Sequence, residues 1–497
     1  MPTTSGRKYI WKTSNKGNAI KKTVILLSVV ILLASCANTP VQTVHVNEKP
    51  GEGAFSLVRT KIELPIVDFE GAVFHDELGY PHVDFKKFDR ENPGKVIKPF
   101  EAVLLENKYA RLTLIPGMGK PYSFIYKVTG HEEFFIPTVA QVLTSPNNLK
   151  WWFALGGVEY TMPDNEHGET WAATWEWEIA EDSSAKKTVR MKVKELRHGL
   201  LETIDISMYP DKAFYEAVIS IANPTKKPVE FQHWINPMWV PGGRGEITPH
   251  TEFVIPTRQV YIDKRRFNDW MLDYHPEKSR TQSFDGPLRF LMGWKGVGDL
   301  LACKLEHGYY SAFSHDEDEG IVRVFPKDKC PGCNIWAWGI NPKPDTRKRF
   351  SGSEKCRGYV EMWGGITHGF AEYYRLEPGA SISWTEWMYP YHLTKGLHYA
   401  NEDFAATFTR LADGKHVLRL CPAGDLTGVE CKAVTAGSNR TCLHVVYDSI
   451  YPKKKLPQFT CPETKEKLEL IILKGGKEII RLSAKGLPEF PGERHTK

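Results

Sequence analysis

The chain has 497 residues, a formal net charge of +5, 41% hydrophobic and 25% charged residues, the proportions of a soluble globular protein long enough for about two domains. No sustained basic stripe is interleaved with aromatics, which argues against a nucleic-acid partner. The unusual count is fifteen tryptophans: buried indoles want a partner for their N–H, so so many rings imply either a large all-β core or a sugar-stacking surface.

The first predicted element is a leader. Lys21 and Lys22 precede an apolar run from Val24 to Ala34, the length of a signal-peptide core and too short to span a bilayer. It ends in Leu33-Ala34-Ser35-Cys36, which resembles a bacterial lipobox, although the basic region before it is longer than usual. The reading is a signal peptide over 1–36, lipidation at Cys36, and a polar, Pro/Gly-bearing tether over 37–55. Ala37 in place of Asp points to the outer membrane, so the expected location is the bacterial cell envelope, lipid-anchored and facing the periplasm or the surface.

Beyond the tether almost every segment reads as strand. "RLTLIPG", "TVRMKVKEL", "LETIDISMY", "FYEAVISIAN" and "PVEFQHWIN" alternate or run apolar between turn signals such as Pro210-Asp211 and Asn223-Pro224. Short strands with little helical periodicity predict an antiparallel sandwich. "LTKGLHYANEDFAAT" reads as a boundary between a large domain over 56–400 and a small C-terminal β domain over 405–487, with a tail over 488–497. Cys330 and Cys333 form a C-x-x-C without a second ligand pair, which favours a disulfide or free thiols over zinc. Cys421, Cys431, Cys442 and Cys461 suggest one or two disulfides stapling the small domain. No metal site and no cofactor is expected.

Four stretches in order carry a resemblance. They are "LLENKYARLTLIPGMGKPYSFIYKVTGHEEFF", "GGVEYTMPDNEHGETW", "IANPTKKPVEFQHWINPMW" and "GYVEMWGGITHGFAEYYRLEPGASISWTEWMYPY". Together they resemble the galactose mutarotase-like superfamily, and most of all a bacterial domain family of unassigned function related to aldose 1-epimerases and hexose-phosphate epimerases. The resemblance implies an all-β, galactose mutarotase-like β-supersandwich with a carbohydrate site on its concave face. Two departures stand out. The Arg of a "GGR" turn is replaced by Gly119-Lys120-Pro121, and the position four before Asn236 holds Gln232 where aldose epimerases place an acid His, with His233 one place off.

Chemistry at an anomeric carbon needs a base for the hydroxyl and an acid for the ring oxygen, or two carboxyl groups for glycoside cleavage. Glu361 matches the family's base position, and Trp363 with the glycines after it leaves room for a ligand. His167 matches the substrate-facing histidine and titrates near neutrality. Glu159 sits in a buried-looking strand, where an inward carboxylate needs a reason. The candidate catalytic set is therefore Glu361, His167 and Glu159. Asn107, Lys120, His233, Asn236, Arg244 and His250 are candidate sugar contacts, the last beside a glycine-rich loop over Gly242–Gly245. Trp171, Trp175, Trp234, Trp363 and Trp387 are candidate stacking faces. The reading is a membrane-anchored carbohydrate-active protein, an epimerase or glycosidase-type enzyme. A noncatalytic carbohydrate-binding lipoprotein and a structural envelope protein are the alternatives.

Overall fold

The computed structural model describes residues 43–488 apart from 165, 264–265, 462 and 465. Cys36, the leader and the last residues of the tail lie outside the described residues. The described chain is built from strands, with two short α-helices at Phe85–Glu91 and Pro344–Ser351. Asp84 caps the first, its carboxylate accepting from Lys86 N and Lys87 N, which satisfies donors the helix leaves open. The all-β expectation holds.

Two large sheets make the sandwich. One has eight strands in the order Glu176–Asp182, Lys187–Lys194, Leu201–Met208, Tyr215–Ala222, Ser381–His392, Glu319–Val324, Tyr309–Ser314 and Thr251–Val254. Alternation drives it: in Tyr215–Ala222 every second residue is buried, the period-2 signature of a sheet with one covered face. The other has seven strands in the order Val158–Thr161, Trp234–Trp239, Val360–Gly365, Gly332–Ala337, Gly298–Ala302, Gln259–Ile262 and Thr281–Ser283. Its first four strands are buried almost throughout, so both faces are covered. A five-stranded sheet from Ser56–Val67 through His131–Glu132 contributes Leu105, Leu112, Leu114 and Phe124 to the same core.

Between the sheets lies a fully buried ion pair. Arg323 Nε donates to Glu386 Oε2 at 2.6 Å, and Tyr310 Oη receives Arg323 Nη1 at 3.0 Å. A Cβ on Gly364 would come within 1.8 Å of Arg323 Nη1, and one on Gly365 within 2.5 Å of the Trp234 ring. These glycines make room for the guanidinium and an indole, not for a ligand as the sequence suggested.

The C-terminal strands form two further sheets around their own apolar cluster, which includes Phe408, Leu420, Val445 and Leu470. Two of the expectations above are corrected here. Thr43–Asn47, inside the segment read as a tether, is a strand that pairs in parallel with Thr441–Ser449. Its alternation is hidden because only Val46 is buried. Cys421, Cys431 and Cys461 are buried free thiols, packed among apolar side chains as small hydrophobes rather than joined as staples. Cys330 and Cys333 are also free and buried.

Candidate functional site

The seven-stranded sheet places Glu159, Asn236 and Glu361 on one face. Glu159 lies directly opposite Asn236 in the pairing of Val158–Thr161 with Trp234–Trp239. Glu361 lies opposite Met238, two residues along from Asn236, so Glu159, Asn236, Glu361 and Trp363 project to the same side. His167 reaches them from the loop that follows Thr161, and Lys120 from the start of the strand Lys120–Tyr126.

These groups form a chain of charge. Lys120 Nζ donates to Glu159 Oε1 at 3.1 Å and to Gly156 O at 2.7 Å. Trp152 Nε1 donates to the same Oε1 at 2.8 Å, while His167 Nδ1 donates to Oε2 at 3.0 Å. The imidazole stacks on Trp152, with centroids 4.0 Å apart and 17° between planes, and meets the Trp363 ring edge-on at 5.2 Å. On the other side of that indole, Trp363 Nε1 donates to Glu361 Oε2 at 2.9 Å. The site is closed to solvent, with Glu361 5% and His167 9% exposed.

Burial and pairing divide the two carboxylates. Burial by itself raises Glu159, but Lys120, His167 and the Trp152 N–H outweigh it and bring its pKa down to about 2. Among the described residues no cation pairs with Glu361, and burial, with Glu159 adding to it, lifts it to about 7 against the pull of His167 and Trp363. Burial lowers His167, yet the Glu159 hydrogen bond and charge, with Glu361, leave it raised overall. Lys120 is lowered, chiefly by burial. The result is a carboxylate that stays ionised, an imidazolium held by it, and a second carboxyl poised to exchange a proton near neutrality.

Asn236 is the remaining member. It is fully buried, and neither its Nδ2 nor its Oδ1 has a hydrogen-bond partner among the described residues. An amide so placed lacks several bonds that its chemistry demands.

Other expected contacts are taken up by protein groups. Asn107 fills its amide with Tyr209 O, Lys212 O and the N–H groups of Tyr109 and Ala110, so it builds a turn. Lys120 is engaged by Glu159 and Gly156. His233 belongs to the opposite side of its strand from Asn236 and pairs with buried Glu202 at 2.8 Å. Arg244 pairs with Glu317 at 2.6 Å and His250 with Asp316 at 2.7 Å, on the exterior. Trp175 is buried and donates to Thr170 O, Trp234 donates to Gln232, and Trp387 to Glu216. Trp171 packs edge-on against Trp151 and lines a cavity of about 500 Å³ with Phe69, Met118 and Phe153, apart from Glu361.

Trp152 was missed by sequence reasoning. Its signal was the doubled Trp151-Trp152 shortly before Gly156-Gly157. Phe370, which packs against both Trp234 and Trp363, carried no signal beyond being aromatic. The loop bearing Phe370 touches the His167 loop through Tyr373 Oη, which donates to Asp164 Oδ1 at 3.1 Å.

Residues 77–390 match the family model described as a domain of unknown function, DUF5107. Among solved structures, a TPR-domain containing protein from Parabacteroides distasonis is similar at a TM-score of 0.54 and 16% identity, over 69% of this chain and 56% of that one. The chain thus spans little more than half the length of that relative. A galactose mutarotase-like protein from Clostridium acetobutylicum matches at a TM-score of 0.41 and 10% identity, over 59% of this chain and 96% of its own. One from Lactobacillus casei matches at 0.40 and 10%, over 58% and 99%.

Proposed function

Since the chain belongs to the DUF5107 family, and since the solved structures it resembles include galactose mutarotase-like proteins, we propose that it binds a sugar on the Glu361 face and interconverts its anomers. Glu361, with a pKa of about 7, takes the proton of the anomeric hydroxyl. The His167 imidazolium gives a proton to the ring oxygen. The ring opens, the carbonyl rotates, and closure on its other face returns both protons. Glu159 does not serve as the acid: at about 2 it remains a carboxylate, and its work is to orient His167 and keep it charged. That leaves His167, held by Glu159 at 3.0 Å, as the group that donates to the ring oxygen.

The observation that carries the reading is Asn236. A fully buried amide with no partner for either polar atom among the described residues, on the same face as an acid–base pair, is the signature of a group waiting for ligand hydroxyls. A sugar reaches it by parting the loops joined through Tyr373 and Asp164.

Observing anomers by NMR for a panel of aldoses, with the full chain and Glu361→Gln, tests this. Turnover that the substitution leaves unchanged sinks the assignment. The second reading, a noncatalytic sugar-binding protein, draws on Lys120, whose ammonium is taken up by Glu159 and Gly156; saturable binding without anomer exchange would favour it. In either case the protein is tethered to the envelope through lipid on Cys36. Metabolic labelling of wild type and Cys36→Ser with a radiolabelled fatty acid tests that step, and label retained by the variant refutes it.

A further inference from the structure

We propose that His131, Glu133 and Glu319 form a binding site for a divalent transition-metal ion, with Zn²⁺ as its reference ligand. One ligand atom from each of the three lies within 4.8 Å of the others. His131 and Glu133 flank Glu132 and so share one side of the chain. Glu132 turns away to accept from Ser123, Phe124 N and Phe134 N.

Both carboxylates are buried, Glu133 at 0% and Glu319 at 1% exposure. Glu319 receives His131 Nδ1 at 2.7 Å and Thr129 Oγ1 at 2.8 Å. Glu133 Oε2 accepts from the N–H of Gly242 at 3.3 Å, and Glu133 Oε1 has no hydrogen-bond partner among the described residues. Among the described residues no Lys or Arg pairs with either group. Two buried carboxylates thus lie close to one imidazole, and the buried Glu133 Oε1 is left without a hydrogen-bond partner among the described residues, which is costly for a polar atom out of water. A cation within reach of all three would give that oxygen a partner.

The donor set selects the ion. One imidazole nitrogen and two carboxylates, without thiolate, suit Zn²⁺ and its first-row neighbours better than Ca²⁺ or Mg²⁺, which prefer oxygen throughout. Half-exposed His131 supplies the entry path. The glycine-rich turn singled out in the sequence closes over this cluster and not over the sugar site. Gly242 and Gly243 adopt left-handed φ of 83° and 69°, and a Cβ on Gly243 would lie 2.4 Å from that of His131. A bound ion would tie the His131–Glu132 strand to the Glu319–Val324 strand, beside that turn.

Isothermal titration of the chelator-treated full chain with ZnCl₂ tests the proposal. A Cys303→Ser background removes an exposed thiol that would also take zinc. One equivalent should bind and raise Tm, and His131→Ala or Glu133→Gln should each weaken binding by about 100-fold or more. His131 is at the surface, so its variant is expected to fold, with near-UV circular dichroism as the check. Zinc bound with undiminished affinity by both variants places the ion elsewhere and overturns the proposal. So does absence of binding together with a higher Tm for Glu133→Gln, the mark of a pair that only shares a proton.

Discussion

Replacing Glu361 by Gln should stabilise the protein in alkali and leave it unchanged in acid. In the folded chain the Glu361 carboxyl is raised from 4.5 to about 7, because burial penalises its charged form. The folded state therefore holds this proton more tightly than the unfolded one. Its contribution is complete below pH 4.5, falls as pH climbs, and is gone above 7, where an enclosed carboxylate must be tolerated. Raising a carboxyl from 4.5 to about 7 corresponds to about 3 kcal/mol, and the enclosure of the site means that water screens little of it. Gln matches the protonated acid in shape, can still accept from Trp363 Nε1, and never ionises. Thermal unfolding of both proteins at pH 5 and pH 8 should show near-equal Tm in acid and a gain of a few degrees for the variant at pH 8. An offset of the same sign and size at both pH values would refute the reasoning, since it would show that packing and not ionisation sets the cost.

Lys120→Met should destabilise by about 3–5 kcal/mol, because it strands the Glu159 carboxylate in the interior; urea unfolding measures it, and a loss under 1 kcal/mol would mean that His167 alone neutralises Glu159. Asn236→Leu should raise stability by about 1–3 kcal/mol by removing two unmet polar atoms while abolishing sugar binding, read by calorimetry of unfolding and of titration. Retained binding would detach Asn236 from the ligand. Tyr373→Phe removes the hydrogen bond to Asp164 and should speed sugar association in stopped flow without altering anomer exchange at saturation; a slower association would mean that the contact shapes the entrance and does not bar it.

The β character was legible because its cause is local: alternation such as that of Tyr215–Ala222 forces a covered face and an open one. Glu159 was legible for the same reason, as a carboxylate amid residues that all had to be inside. His233 was not, because one residue of parity sends a side chain to the opposite face, and Glu202, far away in the sequence, takes it there. The tryptophans misled in the same way. Most are core, and what separates Trp363 from Trp175 is its neighbours, Glu361 and His167 rather than the Thr170 carbonyl, a tertiary fact. The charge chain through Lys120 depends on a turn brought beside Gly156 by the sandwich itself. Cys431 and Cys461 looked like staples from the number of cysteines, yet strand faces set them as free thiols among Phe408, Leu420 and Val445.

The short strand Thr43–Asn47 has a practical side. It covers the outer edge of Thr441–Ser449, a strand whose other neighbour is Val429–Thr435. A recombinant chain trimmed to begin after Asn47 would leave a row of backbone donors and acceptors open along that edge, the arrangement by which sheets recruit strands from other molecules. Self-association seen only in such a trimmed protein would thus report a missing cover strand rather than a native oligomer, and trimming should stop short of Thr43.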